Sequence, residues 1–428
     1  MSLVTATAFQ QSPAIQTKSF VALATLAVSQ VDDDFLYQIL VAFKSGLSRA
    51  NESNTAPISS MLRCMCKVVP ALVGTSRYIC VLFWLAVALL QGSHASFYAE
   101  ASSLLQVTLR NMEQQGLFKN NSVQNVLLEA REPLEEVTSQ LDDLLRLSFE
   151  TSFSFSLAAI IFKGLRHSCL KESAEATLRT LLQVTVAARD TNELPDLASH
   201  EALGYIIALL PVSTTPKAFH RLLKESKLDS AWNIDIGIPD GDDDDVHTPR
   251  FTVELLGIQD TTTALLVASF VGSILCSAQG DDAETEILYG LLSSLCFSYP
   301  DIVSMTYALT LLHMSIARLI CCIFIRYESL QDRIKDIFAN SSNPSIIRSV
   351  VNIFRVASQD ARFSSSSTTH GSTSTLSTVD ENPRSHLLVL EELGMQGLAD
   401  NFQFLLPNRG HATKLLQWIP ILVKLMIS

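Results

Sequence analysis

Apolar residues recur at i, i+3, i+4 and i+7 from one end of this chain to the other, in segments of about 12–20 residues parted by short Asn, Asp, Gly, Pro or Ser breaks. A half-buried strand alternates with period two, and no convincing run of that kind is present. The pattern therefore predicts an all-α fold. Helices are expected near 18–30, 33–49, 57–74, 76–91, 96–115, 122–130, 132–148, 153–167, 171–189, 198–211 and 214–226. A second set is expected near 260–278, 282–298, 300–327, 328–340, 343–361, 385–405 and 411–427.

Many of these helices are apolar around most of their circumference. A two-layer stack accounts for that, because an inner helix is covered by its pair partner and by the adjacent repeats. Helix pairs spaced by about 35–47 residues fit HEAT or armadillo units. The expected architecture is thus a HEAT/armadillo-like α-solenoid of stacked antiparallel helix pairs, without a consensus that separates the two repeat types. A globular helical bundle is the alternative.

Two polar stretches interrupt the stack. Residues 227–259 contain five carboxylates between Asp240 and Asp245, whose mutual repulsion opposes compaction and marks an acidic linker. Residues 362–384 hold Ser364–Ser367 and further Ser, Thr and Gly, the composition of a flexible loop. The expected organisation is a helical-repeat block over 1–226, the linker, a second block over 260–361, the Ser/Thr-rich loop, and C-terminal helices over 385–428.

Charge and cysteine usage narrow the partners. Of 428 residues, 31 are Lys or Arg and 43 are Asp or Glu, a net charge of −12. With no basic block of four or more, nucleic acid is excluded as the expected ligand. The eight cysteines, Cys64, Cys66, Cys80, Cys169, Cys276, Cys296, Cys321 and Cys322, lie in apolar stretches without zinc-ligand spacing. They read as buried thiols of a reducing compartment. Residues 1–17 lack a signal-peptide pattern, and the expected location is cytoplasmic, with any peripheral membrane contact made through a parent protein.

A mean hydropathy of +0.26 raises the membrane question. The run Ile79–Leu90 is shorter than the roughly 17–25 residues that span a bilayer. Ile302–Ile325 is long enough but carries His313 and Arg318, so it too reads as a buried helix. A membrane-associated helical protein that uses 302–325 as a lipid contact is the alternative functional reading.

Chemistry finds little footing. The acidic run from Asp240 lacks the spacing of a calcium loop. The histidines, among them His94, His167, His220, His247 and His313, form no metal-binding spacing and are expected in loops and at helix ends. Hydrolase-elbow and phosphate-loop motifs are absent from the sequence, and Cys321-Cys322 reads as packing. No catalytic, cofactor-binding or metal-ligating residue is assigned. Ser364–Thr378 and Ser385 are phosphate-acceptor candidates. Phe83, Trp84, Phe155, Phe162, Trp418 and Ile421 read as core.

Four segments carry a family likeness: VLFWLAVALLQ (Val81–Gln91), FSFSLAAIIFKGLRHSC (Phe153–Cys169), ALGYIIALLPVS (Ala202–Ser213) and MQGLADNFQFLLPNRG with TKLLQWIPILVKLMI (within Met395–Ile427). In this order they resemble the C-terminal helical region of the neurofibromin and fungal Ira-type inhibitory regulators of Ras. The likeness runs from about Tyr78 to Ser428, and that family also has a polar interruption near the place of 227–259.

The resemblance implies a cytosolic Ras GTPase-activating protein whose flanking HEAT/armadillo-like solenoids dimerise and recruit partners. It also implies what is missing. The family's activating domain carries F-L-R-x-x-x-P-A and an arginine finger that stabilises phosphoryl transfer. Phe-Leu-Arg does not occur here, the only Pro-Ala pairs are Pro13-Ala14 and Pro70-Ala71, and the lipid-binding module is unmatched. The expectation is a non-catalytic scaffold without cofactors, working through protein partners or as a dimer, and corresponding to the part of such a regulator after its activating domain. The apolar end, Leu415–Ile427, is read as a truncation.

Overall fold

A computed structural model of the chain describes residues 7–9, 12–26, 31–49, 55–72, 74–92, 95–145, 147–188, 200–228, 253, 255–277, 282–299 and 409–427. These residues are all-α: their only strand-type pairing is an isolated parallel bridge between Val31 and Leu72. The helices are α1 (Pro13–Leu26), α2 (Asp33–Leu47), α3 (Ala56–Val68), α4 (Ile79–Gln91), α5 (Ala95–Gln114), α6 (Val123–Glu129), α7 (Glu135–Leu145), α8 (Phe149–Leu165), α9 (Lys171–Ala187), α10 (His200–Leu209), α11 (Pro216–Glu225), α12 (Thr261–Ser277), α13 (Asp282–Ser298) and α14 (Arg409–Ile427). The expected helices 300–327, 328–340, 343–361 and 385–405, and the loop 362–384, lie outside the described residues.

Local chemistry sets the helix ends. Asp32 caps α2 by accepting from the Phe35 N–H at 2.9 Å, with Asp33 and Asp34 in the first turn and Lys44 in the last. Ser122 and Thr215 cap α6 and α11 in the same way. Prolines cut two expected helices short. Over 57–74, Pro70 turns the chain into a 3-10 segment, Val69–Ala71, and over 132–148, Pro133 makes Glu132–Leu134 a 3-10 turn before α7 begins. The serine-rich start of α8 is kinked at Ser152 (φ −139°, ψ 48°). There the Ser152 and Ser156 hydroxyls both donate to the Ser148 carbonyl at 2.9 Å.

The chain forms two compact units, Met1–Asn192 with Asp400–Ser428, and Glu193–Ala399. In the first, α1 packs on α3, α3 on α5 and α5 on α9, while α2–α3, α4–α5 and α8–α9 are neighbours in sequence and in space. α4 also meets α8. The C-terminal helix α14 packs on α2, α4 and α7, so a segment expected to stand apart in 385–428 joins the N-terminal helices.

α4 is a core helix of this unit. Leu82–Gln91 are all buried, which places the intensely apolar run 79–90 in a protein core. Burying side chains of this kind stabilises by about 1.5–3 kcal/mol each before the entropy cost is deducted. No single helix among the described residues is long and apolar enough to cross a membrane. The bent pair Glu132–Leu145 and Phe149–Leu165, at 61°, passes by length and composition only.

In the second unit, α10 and the 3-10 turn Leu210–Val212 pack on α12 and α13 respectively, and α12 packs on α13. Asp260 caps α12 through the Thr263 N–H at 2.8 Å. The expected linker 227–259 is narrower than its composition suggests. Leu228 is buried at one end, and Val253, Leu255, Leu256 and Ile258 are buried at the other. The Val253 N–H donates to Ser294 Oγ at 3.1 Å, and the Tyr299 hydroxyl donates to the Ile258 carbonyl at 2.8 Å. The carboxylate run itself lies outside the described residues.

Candidate functional site

A buried cluster of aromatic and charged side chains in the first unit is built around Trp84 of α4. Its indole N–H donates to the Leu127 carbonyl at 2.8 Å, satisfying one of the acceptors left open where α6 ends. The ring meets Phe83, Phe149 and Phe153 edge-on, with centroids 5.3, 5.2 and 6.3 Å away. Arg131 lies against this aromatic wall, its guanidinium 4.7 Å from the Trp84 centroid and 5.0 Å from that of Phe149. The same group pairs with Asp142 of α7.

Arg131 is 3% exposed. Burial pushes the Asp142 carboxyl above its ordinary range, against the opposing pull of the guanidinium beside it. Chemically this is a clamp: it fixes the turn between α6 and α7 to α4 and α8. An arginine finger must reach a nucleotide in another protein, and Arg131 cannot do so from this position.

A second buried polar point joins α8 to the end of α4. Lys163 is 4% exposed and donates through Nζ to the Gly92 carbonyl at 2.8 Å, at the C-terminus of α4, where the helix dipole favours its protonated form. Burial holds its amine down at about 7. The adjacent Gly164 faces Tyr98 of α5: a Cβ there would lie 2.4 Å from the Tyr98 ring, and the Tyr98 hydroxyl donates to the Ile161 carbonyl at 2.6 Å. Only glycine allows this approach.

The expected residues distribute as follows. Phe83, Trp84, Phe155 and Phe162 are buried as expected, whereas Trp418 is half-buried and Ile421 is 41% exposed. Ile421 points away from the side of α14 that carries Ile419, Leu422, Val423 and Met426, so one apolar position of a two-sided helix was misplaced. Cys64 is buried and Cys66 and Cys80 are half-buried, but Cys169 is exposed in the turn after α8, which corrects its reading as a buried thiol. Burial pushes the Cys64 and Cys66 thiols up to about 12 and Cys80 upward, which leaves them protonated and unreactive near neutrality. His167 and His220 are exposed, the first in a turn and the second on α11. Among the described residues no group of three or more His, Cys, Asp or Glu is placed to hold a metal ion. Asp240–Asp245, His247, His313, Cys321, Cys322, Ser364–Thr378, Ser385 and the stretch 302–325 lie outside the described residues.

Arg131, Asp142, Lys163, Tyr98 and Gly164 were not singled out by sequence reasoning. Arg131 and Asp142 sit in a charged stretch that reads as solvated, and only Lys163-Gly164, interrupting an apolar run, carried a visible signal.

No protein-family model matches this chain. Among solved structures, it is similar to a crystal structure of an engineered protein, with 10% identity and a TM-score of 0.22, over 83% of this chain and 88% of that one. A likeness of that size carries no weight for fold or function.

Proposed function

We propose that this chain is a non-catalytic helical scaffold, a HEAT/armadillo-like α-solenoid that serves self-association or partner binding within a neurofibromin-like negative regulator of Ras signalling. The observation that carries the scaffold reading is the order of helix neighbours. In stacked helix pairs, each helix meets its pair partner and the equivalent helix of the next pair. α1–α3–α5 follow that order, α2–α3 and α4–α5 make the pairs, and α9 continues from α5 with α8 as its partner. α14 departs from sequential stacking, since it returns to α2 and α4.

The Ras assignment rests on the four segments that resemble that family. Three of them support the same core: α4 packs on α8, and α14 packs on α4. The buried polar groups described above tie helices to one another, as a scaffold requires.

GTP hydrolysis by Ras in the presence of the purified 428-residue chain tests the non-catalytic part. The expected rate is the intrinsic one. A large acceleration would require an activating site and would sink the scaffold reading.

A further inference from the structure

The exposed large apolar side chains of the first unit, Ile15, Val21, Leu26, Tyr37, Val41 and Ile421, fall on α1, α2 and α14. α2 is the most informative. It buries Leu36, Ile39, Leu40, Ala42, Phe43 and Leu47, and it packs on α3 and α14. Its other face presents Asp34, Tyr37, Val41 and Lys44 at helical spacing. Tyr37 and Val41 are each 40% exposed, Asp34 is exposed and Lys44 is half-exposed.

We propose that this face docks a second copy of the chain, α2 against α2, antiparallel across a two-fold axis. The face is self-complementary. An axis passing midway between Tyr37 and Val41 sets Tyr37 against Val41 of the second copy. It also sets Asp34 against Lys44 of the second copy, and symmetry repeats both contacts. A parallel pairing would instead oppose Asp34 to Asp34 and Lys44 to Lys44. A partner surface of one charge sign would match only one end of the helix, and an anionic lipid surface would be repelled by Asp32, Asp33 and Asp34. Two helices of 15 residues bury less than the roughly 1,600 Å² of a standard interface, so association is weak and reversible. This inference deepens the self-association arm of the scaffold reading and is independent of the Ras assignment.

The test is the light-scattering mass of the full chain across a concentration series, without detergent, at low and at physiological salt. The mass is expected to rise from 47.0 kDa toward twice that value, and to do so less readily as salt increases. Asp34→Lys and Lys44→Asp, each alone, should move the midpoint about ten-fold to higher concentration, as should Tyr37→Ser. Asp34→Lys combined with Lys44→Asp should bring it back to within about three-fold of the parent. Both charges of that double variant oppose the dipole of α2, so the recovery cannot come from a firmer helix.

A monomer at every concentration overturns the proposal and leaves this face to a different partner. So does a dimer indifferent to the single reversals, a double variant as weak as the singles, or a mass that grows beyond the dimer. None of these outcomes bears on the Ras assay, and accelerated GTP hydrolysis would leave the dimer result standing.

Discussion

The guanidinium of Arg131 lies 4.7 Å from the centroid of the Trp84 ring, and through that stacking a turn at the end of α6 is fixed to the buried helix α4. Two residues far apart in the chain thereby make one packing unit, with Phe149 on the other aromatic contact and Asp142 as the charge partner.

Trp84 is 2% exposed and holds both the Leu127 carbonyl and the Arg131 guanidinium. Trp84→Ala should cost about 3–5 kcal/mol of unfolding free energy, through lost burial and the cavity left behind. Urea titration followed by far-ultraviolet circular dichroism measures it. A loss below about 1 kcal/mol would mean that the indole is not in the core.

Arg131 and Asp142 are a buried pair whose worth lies in mutual compensation. Asp142→Ala should cost about 3–5 kcal/mol, because it strands a cation that has already lost its water. Arg131→Met with Asp142→Leu should cost distinctly less than the sum of the two single changes. A double-mutant cycle on denaturant stability reads the coupling, and simple additivity would show that the pair is not formed in solution.

The all-α class was legible because periodicity of 3.6 is a local property. The run 79–90 showed that some helix must be buried, and α4 is that helix. What periodicity does not encode is the neighbour. Nothing in Leu415–Ile427 says that it packs on α2, α4 and α7, and Ile421 looks the same in sequence whether it faces the core or water. Linker composition misled at both ends, since the carboxylates dominate the stretch while Leu228 and Leu256 take part in packing. Arg131 and Asp142 were illegible for a related reason. Charged residues in a Glu-rich segment are normally solvated, and only the tertiary approach of Trp84 makes burial tolerable.

Cys169 differs from the other described cysteines in being exposed. A thiol reagent such as Ellman's should react with it in the folded protein, while Cys64 and Cys66, pushed up to about 12 by burial, should not react until unfolding. Cys169→Ser should therefore remove a fast phase from the native reaction, and Cys64→Ser or Cys66→Ser should leave that phase intact. A fast phase that survives Cys169→Ser and falls with Cys64→Ser would reverse the assignment of exposure.

Lys163 gives the molecule a defined pH dependence. Its folded-state amine is held down at about 7, below the ordinary 10.5 of an unfolded chain, because burial penalises the charged form. Between those two values the unfolded state keeps the Lys163 proton that the folded state has released, so the contribution of Lys163 to unfolding free energy should rise with pH from about 7 to about 10.5. The penalty is fully present below pH 7 and is relieved as the solution becomes alkaline. Its ceiling, set by the gap between about 7 and 10.5, is on the order of 5 kcal/mol. Lys163→Met removes the titrating group and keeps most of the side-chain volume, so its unfolding free energy should gain less, or lose more, than that of the parent as pH rises across the same interval. Urea midpoints collected at pH 7, 8, 9 and 10 for both proteins make the comparison, and the difference between the two profiles cancels what other groups contribute. Parallel profiles would show that Lys163 keeps an ordinary affinity for its proton, and that the end of α4 is wetter than its 4% exposure implies.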